Sequence, residues 1–280
     1  MRAILLTSFA LTAFALNSIL CRMALGPGEA DAAGFSAVRL LSGAVMLAAL
    51  LAANGKPRSL TSDGNWLSGF FLFAYVICFS FAYLGLTTGT GALLLFGSVQ
   101  FTMVAAALYR GERPGGLEWA GLVIAIAGLV YLVFPGLAAP PPANSMLMIA
   151  AGIAWGLYTL RGKGSKDPLA DTAGNFIRAV PMALIAAVPF YSQINLSARG
   201  VLLAVLSGAI ASGIGYAVWY AALKHHTATR AAALQLSVPV IAAAGGIVFL
   251  GETAGIRLAL ATAMILGGIG IVIFGKKSGR

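Results

Sequence analysis

A chain of 280 residues that is 60% apolar and only 9% charged has too little charged surface to cover a soluble core, since an ordinary soluble domain is roughly a quarter charged. Its apolar residues fall into uninterrupted runs of about twenty, the length that crosses a hydrocarbon core about 30 Å thick. The composition excludes a soluble enzyme and indicates an all-α integral membrane protein whose surroundings are lipid.

Ten spans are expected in chain order: residues 3–25, 34–53, 66–86, 91–109, 119–134, 145–160, 172–189, 201–223, 231–250 and 258–274. The connections are short and rich in turn residues, among them GPGEAD, RGERPGG and GETAG, and none is long enough for a soluble domain. Pro140, Pro141 and Pro142 stiffen the fifth connection, a natural joint between two halves. The N-terminus has the form of a signal peptide. However, residues 13–18 (AFALNS) match residues 154–159 (AWGLYT), so the first run is kept as helix 1.

The chain repeats itself. Thr88, Thr90, Leu95, Ser98 and Val99 lie over Thr227, Thr229, Leu234, Ser237 and Val238, and Gly111-Glu112 over Gly251-Glu252. Asp31, Gly34 and Arg39 parallel Asp171, Gly174 and Arg178, and Tyr83 to Leu86 parallel Tyr220 to Leu223. Two five-span repeats follow, residues 1–135 and 145–280, joined by a Pro-rich connection over 136–144. Five is odd, so the second copy enters the membrane inverted. Inverted repeats of this kind build transporters with a site near the midplane.

With ten spans, thirteen of the eighteen basic residues lie on the side of the two termini, among them Lys56, Arg58, Arg110, Lys163, Lys224 and Lys276. Arg22, Arg199 and Arg257 are the three on the other side. Both termini are expected in the cytoplasm. The net charge of +10 is thus topology signal, and no nucleic acid is expected as a partner. Glu112 would lie on the cytoplasmic side and Glu252 on the outer side.

Two five-helix copies, each with an Arg early in its second helix and a Gly-Glu turn before its last, resemble the drug/metabolite transporter superfamily. The likeness is closest to its ten-helix EamA-type exporters and covers essentially all of the chain. The family often carries a Pro in the fourth helix of each copy; Pro239 fits, whereas Gln100 stands at the matching place in the first half. Within the family, the midplane aromatics look most like YddG-type exporters of aromatic amino acids.

Polar groups inside lipid must face protein or a water-filled cavity, so mid-span polar and aromatic residues are candidates for a site wall. Asn17 lies midway along helix 1, and its counterpart on helix 6 is Tyr158, one turn from Trp155. Tyr75, Phe79 and Tyr83 are spaced by four and share a face of helix 3. Helix 8 carries Ser212, Tyr216 and Tyr220. Helix 4 offers Ser98 and Gln100, and helix 9 offers Gln235 and Ser237. Converging, these faces would form an aromatic-walled cavity with a few amides and hydroxyls, suited to a planar or amphipathic metabolite.

Arg39 and Arg178 are the only charges well inside spans. Snorkelling to headgroups, or a structural pairing, is the favoured reading; the alternative is a pair of anion-attracting posts at the two mouths of the cavity. Trp66 and Trp119, and also Trp219 with Tyr220, read as interface belt residues. Ala204, Gly208 and Ser212, with Gly267, Gly268 and Gly270, mark close helix contacts.

Cys21 and Cys78 lack metal-ligand spacing, and neither a metal nor a cofactor is expected. No Asp or Glu lies mid-span, so proton coupling has no visible relay and facilitated movement is expected. The reading is an alternating-access exporter of small organic metabolites, amino acids first, in a bacterial inner membrane. The alternatives are a broad-specificity drug or cation exporter of the same fold, a membrane-embedded enzyme, and a non-transporting subunit. The oligomeric state is open, and a monomer is compatible with everything above.

Overall fold

A computed structural model describes residues 2–54, 63–109, 111, 115–134, 139–162, 165–223, 234–235 and 237–274. The helices in order are α1 (Arg2–Leu25), α2 (Ala32–Ala53), α3 (Trp66–Ala82), α4 (Thr88–Tyr109), α5 (Gly116–Val133), α6 (Pro142–Gly162) and α7 (Pro168–Ala187), which a 3-10 stretch prolongs over Val188–Gln193. Next comes α8, unbroken through Ala198–Val205, a π-helical stretch Leu206–Ile214, and Gly215–Leu223. The last two are α9 (Ser237–Leu250) and α10 (Ile256–Phe274).

Among the described residues seven of these are long and apolar enough to cross a membrane: α1, α2, α4, α5, α6, α7 with its extension, and α8. Helices α3, α9 and α10 are shorter apolar helices. Apolar side chains such as Ile185, Val248 and Phe249 point outward, while Asn17, Ser36, Arg39, Gln100 and Ser212 are buried. This polarity suits lipid as the solvent, and the chain is a multi-pass membrane protein.

Several helix starts come earlier than expected, because capping residues precede the apolar runs. Asp31 caps α2 by accepting from the Gly34 amide at 2.7 Å, whereas α3, capped by Asn65 through the Ser68 amide at 2.8 Å, starts at Trp66 as expected. Ser197 caps α8 through Gly200 at 3.0 Å. Pro142 opens α6, a position where its missing N–H costs nothing, so the last proline of the connection belongs to the helix. Glu112, Lys163, Thr227 and the basic residues near the expected cytoplasmic face other than Arg161 and Lys166 lie outside the described residues, apart from Arg2, whose side chain does too.

Packing is mainly between the first five helices and the last five. Helix α2 lies against α7 and α8, α3 against α6 and α7, α4 against α6 and α9, α1 against α8 and α9, and α5 against α10. Small residues permit the close crossings. A Cβ on Gly208 would collide with the Arg39 carbonyl and the Ser42 hydroxyl, and one on Gly43 with the Phe176 ring. Gly121 and Gly268 press against each other's carbonyls where α5 crosses α10, whereas Gly267 and Gly270 face open space.

Side chains also bind the two parts together. The Asn195 amide, just ahead of α8, donates to Asp31 at 3.0 Å. The Gly64 amide, just ahead of α3, donates to Asp171 at 3.0 Å, and the Asn65 amide donates to Asn175 Oδ1 at 2.9 Å. At the far end of α1, Arg22 pairs with Glu252 at 3.5 Å. Glu252 in turn accepts from the Thr88 amide at 2.8 and 3.0 Å, an arrangement favoured by the positive end of α4.

Candidate functional site

Helices α1, α3, α4, α6 and α8 meet around a buried cavity lined by Phe14, Asn17, Tyr75, Phe79, Leu95, Phe96, Trp155 and Tyr216. Its volume of about 10 Å³ is room for one water and nothing larger. Trp155 is the hub. Its ring lies 4.9 Å from both Tyr75 and Tyr216, 5.4 Å from Tyr158, and 6.4 Å from Phe14 in an edge-on arrangement. Phe79 continues the row, 5.4 Å from Tyr75 and 4.8 Å from Tyr83. Such ring pairs contribute about 0.5–1.5 kcal/mol each beyond their buried area.

One strip of polar groups runs beside these rings. Ser207 donates to Asn17 Oδ1 at 2.8 Å and Ser212 at 3.3 Å. On an ordinary α-helix, residues five apart point about 140° from each other. The π-helical stretch, with its i to i+5 bonding, brings both serines to the same amide. Ser212 also accepts from Arg39 Nε at 3.4 Å and Nη2 at 3.3 Å, and Nη2 donates to the Tyr75 hydroxyl at 3.0 Å. The guanidinium lies 5.3 Å over the Tyr75 ring and 5.0 Å over that of Phe79.

The structure therefore gathers Asn17, Tyr75, Phe79, Trp155, Tyr216 and Ser212 at one place. Tyr158 flanks Trp155 without reaching the cavity. Tyr83 sits at the end of the ring row, where its hydroxyl donates to the Thr88 carbonyl at 3.3 Å and ties α3 to α4. Ser98 packs on Gly152 of α6, and the buried Gln100 also stands away from the cavity; the Ser98 hydroxyl and Gln100 Nε2 have no hydrogen-bond partner among the described residues. Gln235 is buried but does not line the cavity. Trp219 is no belt residue: it is buried, 5.6 Å from Phe14.

The arginines correct the snorkelling expectation. Arg39 is fully buried. Arg178 turns to protein instead, donating to the carbonyls of Asp63 and Gly174. Sequence reasoning passed over Phe14, Leu95, Phe96 and Ser207. A signal for Phe14 was present, because the match of residues 13–18 to 154–159 sets it over Trp155. Nothing local announces the π-helical stretch that recruits Ser207.

Comparison with known proteins agrees with this architecture. A crystal structure at 20% identity superposes with a TM-score of 0.71, covering 98% of this chain and 99% of that one, which shows a shared fold. An uncharacterized protein of Pseudomonas aeruginosa is 50% identical over 97% of this chain and 94% of its own length. A protein of Salmonella typhimurium named a probable amino-acid metabolite efflux pump is 30% identical over 74% of each chain. The model of the EamA-like transporter family matches residues 1–134 and again 144–274. The chain is a transporter, not an enzyme, and belongs to the EamA-like transporter family.

Proposed function

We propose that this protein exports small organic metabolites, amino acids first, by alternating access across a bacterial inner membrane. Ten helices in two inverted halves, residues 1–135 and 145–280, would rock against each other, with both termini in the cytoplasm. The observation that carries the reading is the cavity itself. It is buried, aromatic, edged by one amide, and walled by both halves: Phe14, Asn17, Tyr75, Phe79, Leu95 and Phe96 from one, Trp155 and Tyr216 from the other. Its water-sized volume fits a closed resting form that must open to admit cargo.

The inverted relation draws support from paired bonds. Asp31 takes the amide ahead of α8, and its counterpart Asp171 takes the amide ahead of α3. The helix contacts have the same exchange symmetry: α3 with α6 mirrors α8 with α1, and α4 with α6 mirrors α9 with α1. The resemblance to a relative named an amino-acid metabolite efflux pump supports the substrate class. A broad cation exporter fits less well, because the charge buried beside the cavity is the cation Arg39.

The test is flux of labelled amino acids, aromatic and aliphatic, through purified protein in liposomes. The expected result is saturable movement, equal with and without a pH gradient. Flux that follows the gradient would mean a proton site, and no amino-acid flux by folded protein would overturn the substrate class.

A further inference from the structure

Arg39 carries a charge that no described residue neutralises. It is fully buried, and its neighbours are a phenol, a serine hydroxyl and two ring faces. Among the described residues no carboxylate pairs with it; the ion pairs there are Arg22 with Glu252 and Arg199 with Glu29. Its Nη1 is enclosed and has no hydrogen-bond partner among the described residues. A guanidinium held out of water without an anion is among the most unfavourable arrangements a protein can keep. Its counterpart Arg178 ends on two carbonyl oxygens instead, so the open donor is a property of one half only.

We propose that Arg39 receives the carboxylate of the transported molecule, so that the site takes amino acids or other small carboxylates with the anion on Nη1 and the side chain among the rings. This rests on the exporter reading above and sharpens it. The two rings beneath the guanidinium, Tyr75 and Phe79, are also cavity walls, and they separate Arg39 from the cavity in the closed form. Parting them as one end opens brings the anion to the cation, while Ser212 holds Nε and Nη2 in place. The planar fork suits a carboxylate with directed bonds. For an amino acid, the ammonium group then falls toward the Asn17 amide and the ring faces, where a cation is also favoured.

The experiment measures binding by full-length protein in detergent, through thermal shift and tryptophan fluorescence, separately from flux. The probes are L-phenylalanine, L-threonine and benzoate, set against L-phenylalanine methyl ester and phenethylamine. The acids should bind saturably and the two carboxyl-free compounds at least about tenfold more weakly, as for loss of a charge-assisted hydrogen bond. Arg39→Met should lose acid binding, and Arg39→Lys should keep part of it. The unliganded Arg39→Met protein should melt no lower than the native one, since an uncompensated charge is gone; a purely structural arginine predicts a lower melting point. Ester binding as tight as acid binding, Arg39→Met binding acids normally, or no acid binding by native protein each overturns the assignment. If Arg39→Met does not fold, the acid and ester comparison on native protein decides. Acid binding without flux would leave the assignment standing and remove the exporter reading. Flux on which the ester competes as well as the acid would do the reverse.

Discussion

Phe14 and Trp155 align in the match of residues 13–18 to 154–159, and their rings meet edge-on at 6.4 Å in the wall of the cavity. The pair joins α1 to α6. Trp155 also touches Tyr75, Tyr158 and Tyr216. Truncation to alanine should therefore cost about 3–5 kcal/mol of stability, which would confound any change in flux. Trp155→Phe is the informative change. It should leave the melting point within a few degrees of native and weaken uptake of aromatic more than of aliphatic substrates. Equal effects on both classes would remove Trp155 from the substrate wall.

Gly208 admits no side chain, because α2 passes directly over it at Arg39 and Ser42. Gly208→Ala should push the π-helical stretch off α2, separate Ser212 from Arg39, and reduce folded yield sharply, as for overpacking that costs about 1–3 kcal/mol or more. Gly270→Ala meets nothing within 4 Å and should be neutral. Size-exclusion profiles and melting points of the two variants side by side would check the contrast.

Asp31 and Asp171 each accept an amide from the other half. Removing Asp31 frees the Gly34 amide at the start of α2 and the Asn195 amide, and removing Asp171 frees the Gly64 amide and the Ser165 hydroxyl, so Asp31→Ala and Asp171→Ala should each cost about 1–2 kcal/mol. The double variant should cost about the sum, since distant sites act independently. Thermal denaturation of the three proteins would test this, and a double variant no worse than either single one would show that the two sites are coupled.

Membrane class and most of the aromatic lining of the cavity were legible because lipid imposes a strong pattern: long apolar runs, with polar groups only where protein meets protein. Asn17, Tyr75, Phe79, Trp155 and Tyr216 all followed from depth and helical spacing. Tyr83, Ser98 and Gln100 met the same criteria and went elsewhere, since depth does not say which neighbour a helix face meets. Of the two readings favoured for Arg39, snorkelling fails, although it is what a lone arginine near a helix start usually does; the side chain is buried and bonded to Ser212 and Tyr75. The crossing of α2 over Gly208 and the Tyr75 and Phe79 rings, contacts between elements distant in sequence, surround it instead. Ser207 was invisible for a similar reason, since a single widened turn changes which residues share a face.

The Gly-Glu turn reads as a repeat marker, yet Glu252 has a definite task. It joins the turn after α9 to the start of α4 and to Arg22 at the end of α1. Arg22 also donates to the Tyr83 carbonyl at 2.9 Å, so four helices are tied at the proposed outer end. Gly251, at φ +64°, gives the turn its shape. Glu252→Gln keeps the size but gives up the charge, weakening the pair and the cap by about 1 kcal/mol, which raises the population open at that end about fivefold. Cys21 lies next to Arg22 and is fully buried. In a Cys78→Ser background, a membrane-impermeant thiol reagent added from outside should label Cys21 about fivefold faster in Glu252→Gln. An unchanged rate, with a lowered melting point, would make Glu252 a helix cap and not part of a gate.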